Sequence, residues 1–295
     1  FFSSGEVVTL VGATPIFVDI DEDTYNISPQ SLEQAIQYVL EQTNLKPRVI
    51  IAVDLFGQPA EYEQIKKIAE KYHLLILEDG AQGFGGRIGT KKACSFGDIS
   101  TTSFFPAKPL GCYGDGGALF TENDEWAELL RSYRVHGKGV DKYDNVRIGM
   151  NSRLDTIQAA VLLEKIKFFD WEVKKCNQVA EEYNKGLQGV VKAPVVKKGF
   201  VSSWAQYTVC FQNNKEREQV IKLLKEQNIP SAVYYRKPMH MQEAFRKYQY
   251  KGLEYKVTEK VCECCLSLPM HPYLNINVIK YIIAGVRKSL DIKTD

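Results

Sequence analysis

Three short apolar runs, each ending in or beside a carboxylate, alternate with segments of helical period in the first third of the chain. This alternation constrains the fold more than any other feature. Pro15-Ile16-Phe17-Val18-Asp19-Ile20, Arg48-Val49-Ile50-Ile51-Ala52-Val53-Asp54 and Leu74-Leu75-Ile76-Leu77-Glu78-Asp79 have the length and the β-branched or leucine-rich content of buried strands. Ser28-Pro29 opens a helix between the first two, with a capping hydroxyl just before a proline suited to the first helical position. Tyr62 to Tyr72 supplies another helix between the second and third. The order βαβαβ predicts right-handed crossovers and an α/β fold with a mainly parallel central sheet flanked by helices, where ligands gather beyond the carboxyl ends of strands. Asp79 sits at such an end.

From about Leu154 the pattern changes to a long helical tract through Leu187, with Ile157, Ala160, Val161, Leu163, Ile166 and Phe169 at near-helical spacing. After it, Gln206 to Phe211, a helix from Lys215 to Gln227, Ser231 to Tyr235 and two further helices predict a smaller C-terminal α+β domain. The expected division is therefore a large domain over residues 1–170 and a small one over 171–295.

Composition narrows the function classes. The net charge of +2 is spread among interleaved acidic and basic residues, which argues against a nucleic-acid-binding face. No apolar stretch approaches the roughly 20 residues needed to cross a bilayer, and Phe1-Phe2-Ser3-Ser4-Gly5-Glu6 lacks the basic flank and apolar core of a signal peptide. The chain reads as soluble and cytoplasmic. Its seven cysteines show no framework spacing, in keeping with a reducing compartment. Cys262-Glu263-Cys264-Cys265 lies in a helical pattern over residues 257–266 without a second pair at zinc spacing, so small buried hydrophobes on a helix are expected rather than a metal site.

Lys108, in Thr102-Ser103-Phe104-Phe105-Pro106-Ala107-Lys108-Pro109-Leu110, carries the chemistry together with Asp79 in Glu78-Asp79-Gly80-Ala81-Gln82. A lysine holds an aldehyde cofactor as a Schiff base. A carboxylate at the far end of a pyridine ring keeps its nitrogen protonated, so that the ring serves as an electron sink. The pair has the look of the two anchors of a pyridoxal 5'-phosphate site. The glycines of Gly111-Cys112-Tyr113-Gly114-Asp115-Gly116-Gly117 fit a tight turn after the lysine loop, whereas their spacing and context do not fit a dinucleotide fingerprint.

Several motifs in order, namely residues 10–20, 78–82, 103–108, 114–117, 149–155 and 266–269, resemble the DegT/DnrJ/EryC1/StrS family of sugar aminotransferases. The family has the type I fold of pyridoxal-phosphate-dependent transferases, and the resemblance runs nearly end to end. It implies that Lys108 forms the Schiff base and Asp79 pairs with the ring nitrogen. It also implies that Gln82 lies near the ring hydroxyl, Ser103 binds the phosphate and Phe1 stacks on the ring. Asn151 and Arg153 match a family segment that reaches into the neighbouring site of a homodimer with shared active sites, Asn151 toward the cofactor and Arg153 toward the substrate. As a structural alternative, Ser152 and Asp155 suit a capped helix start. His136, Tyr235 and His240 match segments facing a nucleotide-sugar pocket, although a lone histidine or tyrosine is more often structural. Family members also begin upstream of the position matching Phe1, in a part that carries first helices and a Gly-Thr or Gly-Ser phosphate clamp.

The activity so implied is a two-half transamination. Glutamate gives its amino group, and a keto-sugar nucleotide receives it. The segments around His136 and Arg153 are most similar to members acting on UDP-linked 3-keto-N-acetylhexosamine uronates for surface polysaccharide. The alternatives are a 4-keto-hexose nucleotide substrate and a non-catalytic regulatory or binding member. A dehydratase of the same family replaces the lysine by histidine, and Lys108 argues against it.

Overall fold

The computed structural model describes residues 1–141 and 143–290. Its elements in chain order begin with helices α1 (Ser3–Leu10) and α2 (Pro29–Gln42), strand β1 (Val49–Val53), helix α3 (Tyr62–Tyr72) and strand β2 (Leu75–Asp79). The short strands β3 (Arg87–Ile88) and β4 (Lys91–Lys92) precede β5 (Ile99–Ser103), β6 (Gly117–Phe120), α4 (Asp124–Tyr133) and α5 (Thr156–Gly186). The remainder comprises β7 (Phe200–Val201), β8 (Tyr207–Cys210), α6 (Asn214–Glu226), α7 (Lys256–Cys264), β9 (Cys265–Leu268) and α8 (Ile276–Ser289).

The main sheet has the order β1-β2-β5-β6. β1, β2 and β5 run parallel, while β6 returns antiparallel to β5. Their register aligns Val53, Asp79 and Thr101 in one row at the carboxyl end of the sheet. One apolar core covers a face of this sheet, built from Ile50, Ala52 and Ile76 of the strands and Leu32, Ile36, Ile65 and Ile68 of α2 and α3. Both helices form where local signals direct. Ser28 accepts a hydrogen bond from the Ser31 amide at 3.2 Å with Pro29 behind it, and α3 ends at His73 in the left-handed conformation.

Two buried carboxyls fasten the strand ends and so place Asp79. Glu78, fully buried, accepts from the amides of Phe96 at 2.6 Å and Gly97 at 3.1 Å and from the Ser100 hydroxyl at 2.7 Å. Asp54 accepts from the Ala60 amide and the Tyr62 hydroxyl, and its own amide donates to the Asp79 carbonyl at 3.0 Å. Burial, helped by the neighbouring Glu78 charge, pushes the Asp54 carboxyl well above the usual carboxylate range. Gly83 packs directly on it; a Cβ there would stand 2.4 Å from Asp54, which is why the turn after Asp79 has no side chain at this point.

The long helical tract appears as α5, 31 residues in one piece. Its first half packs Leu162 and Phe169 beneath the lysine loop. Its second half packs Cys176, Val179, Ala180 and Tyr183 into a separate core with β8, β9, α6 and α8. Residue 170 thus falls inside a helix, and the change from one core to the other occurs between Phe169 and Cys176.

Three expectations are corrected. Pro15 to Ile20 is not a strand: it pairs only at Ile20, in an isolated bridge with Ile27. An apolar cavity of about 810 Å³ is lined both by this run, at Phe17 and Val18, and by β1, at Ile50, Ile51 and Val53. β-branched composition makes a run able to pair, but only a hydrogen-bonded neighbour makes it a strand. Ser231 to Tyr235 likewise pairs only through an Ala232–Ser267 bridge. The helical reading of residues 257–266 ends at Cys264, because Cys265 starts β9 and pairs with Cys210 across the small sheet.

Candidate active site

Lys108 sits in the loop that leaves the carboxyl end of β5. The loop is closed by a Cys112 amide to Phe104 carbonyl bond of 2.7 Å and pinned by the buried side chains of Phe104 and Leu110 on either side of the lysine. Inside it, the Lys108 amide donates to the Phe105 carbonyl at 2.8 Å. The side chain is half-buried. Burial pushes its ammonium down from the ordinary lysine range, against the pull of the Asp79 carboxylate, which favours the charged form. A lysine so placed has more free amine at neutral pH than one at the surface, as a nucleophilic or proton-carrying amine requires.

Asp79 ends β2 and is half-buried. Its Oδ1 accepts from the Ala81 amide at 3.2 Å, and its Oδ2 accepts from the Ser4 hydroxyl at 2.6 Å. Ser4, on α1 and 75 residues away in sequence, is a site residue that the sequence reading missed. A lone serine outside any recognisable motif gives no signal. Phe1 approaches the same place, with its ring centre 6.0 Å from Lys108 Nζ.

Gln82, one turn beyond Asp79, is buried and oriented from two sides. Its Oε1 accepts from the Phe56 amide at 2.7 Å, and its Nε2 donates to the Tyr235 hydroxyl at 3.4 Å. The Tyr235 phenol is pushed up by burial, so it stays protonated. Gln82 and Tyr235 are 153 residues apart, and their contact joins the segment between α6 and α7 to the end of β2. Ser103, the last residue of β5, accepts from the Phe105 amide at 3.2 Å and remains partly exposed five positions before Lys108.

Of the other sequence candidates, His240 lines the cavity of about 810 Å³ that Phe1, Ser4 and Tyr235 also line, and the rest lie elsewhere. His136 and Asn151 share the loop after α4, where the His136 amide donates to the Met150 carbonyl and Val135 pairs with Asn151 in a bridge. Both are exposed, as is Arg153 just before α5. His240 is buried in the segment between α6 and α7, 3.0 Å from Glu259 Oε1 and stacked on Tyr255 with ring centres 4.1 Å apart. The structure thus brings Lys108, Asp79, Gln82, Tyr235 and Phe1 to one end of the sheet, with Ser103 beside them. His136, Asn151 and Arg153 lie on an exposed surface of the same chain.

The donor set fits pyridoxal phosphate: a desolvated amine, a carboxylate facing it, a buried amide and a hydroxyl at a strand end. The chain is similar to known proteins over nearly its whole length. A UDP-2-acetamido-2-deoxy-3-oxo-D-glucuronate aminotransferase of Pseudomonas aeruginosa is 42% identical over 287 residues, covering 97% of this chain and 76% of that protein. A pleiotropic regulatory protein of Geobacillus stearothermophilus is 37% identical, with 97% and 75% covered. The crystal structure of a DegT DnrJ EryC1 StrS aminotransferase from Brucella abortus superposes with a TM-score of 0.94 at 48% identity, covering 98% of this chain and 76% of that one. Since residues 1–287 also match the family model, the chain belongs to the DegT/DnrJ/EryC1/StrS aminotransferase family.

Proposed function

We propose that this chain transfers an amino group from glutamate to the keto carbon of a UDP-linked 3-keto-N-acetylhexosamine uronate, giving an amino-sugar nucleotide for surface polysaccharide. The observation that carries the chemistry is the desolvated Lys108 amine beside the Asp79 carboxylate at the carboxyl end of β2 and β5. The Pseudomonas relative, named for a UDP-linked 3-oxo-glucuronate, supports the substrate class.

Lys108, Asp79, Gln82 and Ser103 would hold pyridoxal 5'-phosphate, with Phe1 against its ring. When bound, the cofactor supplies an aldehyde that condenses with amines and a ring that delocalises the electron pair left by a departing α-proton. Lys108 Nζ, whose ammonium form burial disfavours, would take the α-proton of the donor and deliver a proton on the reverse half. Asp79 holds a proton on the ring nitrogen, and its hydrogen bonds from Ser4 and Ala81 keep the carboxylate aimed. Gln82 is positioned by Phe56 and Tyr235 to donate or accept at the ring edge.

Incubation with the 3-keto-uronate nucleotide and glutamate should give 2-oxoglutarate and the amino sugar in equal amounts. The 4-keto-hexose nucleotide serves as the comparison substrate. Absence of transfer to either, from cofactor-loaded protein, would instead favour the regulatory role for which the Geobacillus relative is named.

The functional unit in this reading is a homodimer. Ile157, Leu163 and Ile166 of α5 are 51–76% exposed, an apolar stripe next to exposed Asn151 and Arg153. If Arg153 serves the neighbouring site, mixing inactive Lys108→Ala and inactive Arg153→Ala chains restores activity. One site of each heterodimer is then intact and the other doubly defective, so activity approaches that of one wild-type site per heterodimer. Heterodimers verified with two affinity tags but lacking activity would refute the sharing.

A further inference from the structure

Seven free cysteines are distributed through the chain, and two of them, 54 positions apart, meet at one place. Cys210 ends β8 and Cys264 ends α7 just before β9, and the Phe211 amide donates to the Cys264 carbonyl at 3.0 Å, so the two backbones are tied side by side. Both side chains lie in one buried cluster with Tyr25, Phe56 and Cys265. The Tyr25 hydroxyl, 185 residues from Cys210, donates to its sulfur at 3.6 Å. Although only 6% and 4% exposed, both cysteines line a pocket of about 780 Å³ whose rim carries Lys192, Lys256 and Lys260 against a single acid, Glu22. Nothing in the aminotransferase chemistry above uses this place.

We propose that Cys210 and Cys264 form an oxidisable pair that a hydroperoxide entering this pocket converts to a disulfide. The two thiols have different parts. The neighbouring Cys264 thiol and then the Tyr25 hydroxyl hold the Cys210 thiol below its ordinary range, whereas the nearby Cys210 and burial raise that of Cys264. Cys210, the sulfur that the Tyr25 hydroxyl reaches, is the attacking one in this proposal and Cys264 the resolving one.

In the first step the Cys210 sulfur attacks a peroxide oxygen, the O–O bond breaks, and the departing hydroxide or alkoxide takes a proton, leaving a sulfenic acid. In the second the Cys264 sulfur attacks the Cys210 sulfur, the S–O bond breaks, and hydroxide leaves with the Cys264 proton as water. Two electrons pass from the thiols to the peroxide.

The neighbouring cysteines are poorly placed to compete. The Cys265 thiol points to the Tyr234 carbonyl, 3.5 Å away, and lines no part of this pocket. Cys262 lines the separate apolar cavity beside β1. The pair also borders the candidate active site, since Tyr25 packs edge-on against Phe56, whose amide holds Gln82.

The test is a thiol map of the whole reduced chain during exposure to hydrogen peroxide, with alkylation of the remaining thiols, digestion and mass spectrometry. The expected product joins the Cys210 and Cys264 peptides, is lighter by two hydrogens and reverts with dithiothreitol. It should form roughly tenfold faster than any oxidation of Cys94, whose thiol is buried and pushed up. In Cys264→Ser the sulfenic acid at Cys210 should persist and be trapped by dimedone. A peroxide-treated chain in which Cys94 is oxidised while Cys210 and Cys264 remain thiols overturns the proposal, as does a link through Cys262 or Cys265 in their place. The map of the unmutated chain decides between these results even if Cys264→Ser does not fold.

Discussion

Lys108→Ala should lower transamination by on the order of 10⁴-fold or more, equivalent to about 5.5 kcal/mol of lost transition-state stabilisation. The substitution removes both the amine that holds the cofactor covalently and the base that moves the α-proton. The loop itself should survive. Its closure depends on the Cys112 to Phe104 backbone bond and on buried Phe104 and Leu110, none of which involves the lysine side chain. A melting temperature within about 2 °C of the parent is the control, since a shift of that size corresponds to about 1 kcal/mol in a protein of this length. Cofactor binding should continue without borohydride-stable attachment at position 108. Millimolar methylamine should restore part of the rate by entering the space left by the side chain. Turnover comparable to the unmutated chain would end the assignment of Lys108.

In the unmutated chain, covalent capture of the cofactor should increase with pH, because the free amine is the nucleophile. The midpoint should lie below the ordinary lysine range because burial disfavours the ammonium.

Asp79→Asn should reduce kcat by about 10²- to 10³-fold while leaving the fold intact. The amide keeps Oδ1 as an acceptor for Ala81, and its NH₂ group can meet the Ser4 hydroxyl where the carboxylate Oδ2 now accepts from it. What it loses is the negative charge that keeps the ring nitrogen protonated. The same substitution has a second, separable consequence. The Asp79 charge favours the Lys108 ammonium, so its removal should move the pH midpoint of cofactor capture lower still. Activity and capture midpoint both unchanged in Asp79→Asn would show that another group holds the ring nitrogen and faces the lysine.

The helices were legible because their information is local. Ser28-Pro29 caps and starts α2, the 3.6-residue period of Tyr62 to Tyr72 coincides with α3, and every helical hydrogen bond is closed within four residues. β1 and β2 were legible for a related reason: the run Val49 to Val53 and the run Leu74 to Leu77 are too apolar to stand outside a core. Lys108 and Asp79 could be named because each carries a chemistry that few residue types can supply.

Strand pairing needs a partner from elsewhere in the chain. Pro15 to Ile20 has a strand's composition and lacks the pairing, while Cys265 leaves a helical pattern because Cys210 lies opposite it. The same limit applies to the candidate site. The sequence by itself determined which groups are candidates for the chemistry and which segments become helices, since both depend on side-chain identity and near neighbours. Only the tertiary structure decided that Ser4 aims Asp79, that Tyr235 meets Gln82 and that Cys210 meets Cys264. Those contacts close loops of 75, 153 and 54 residues, and packing of the intervening cores determines them.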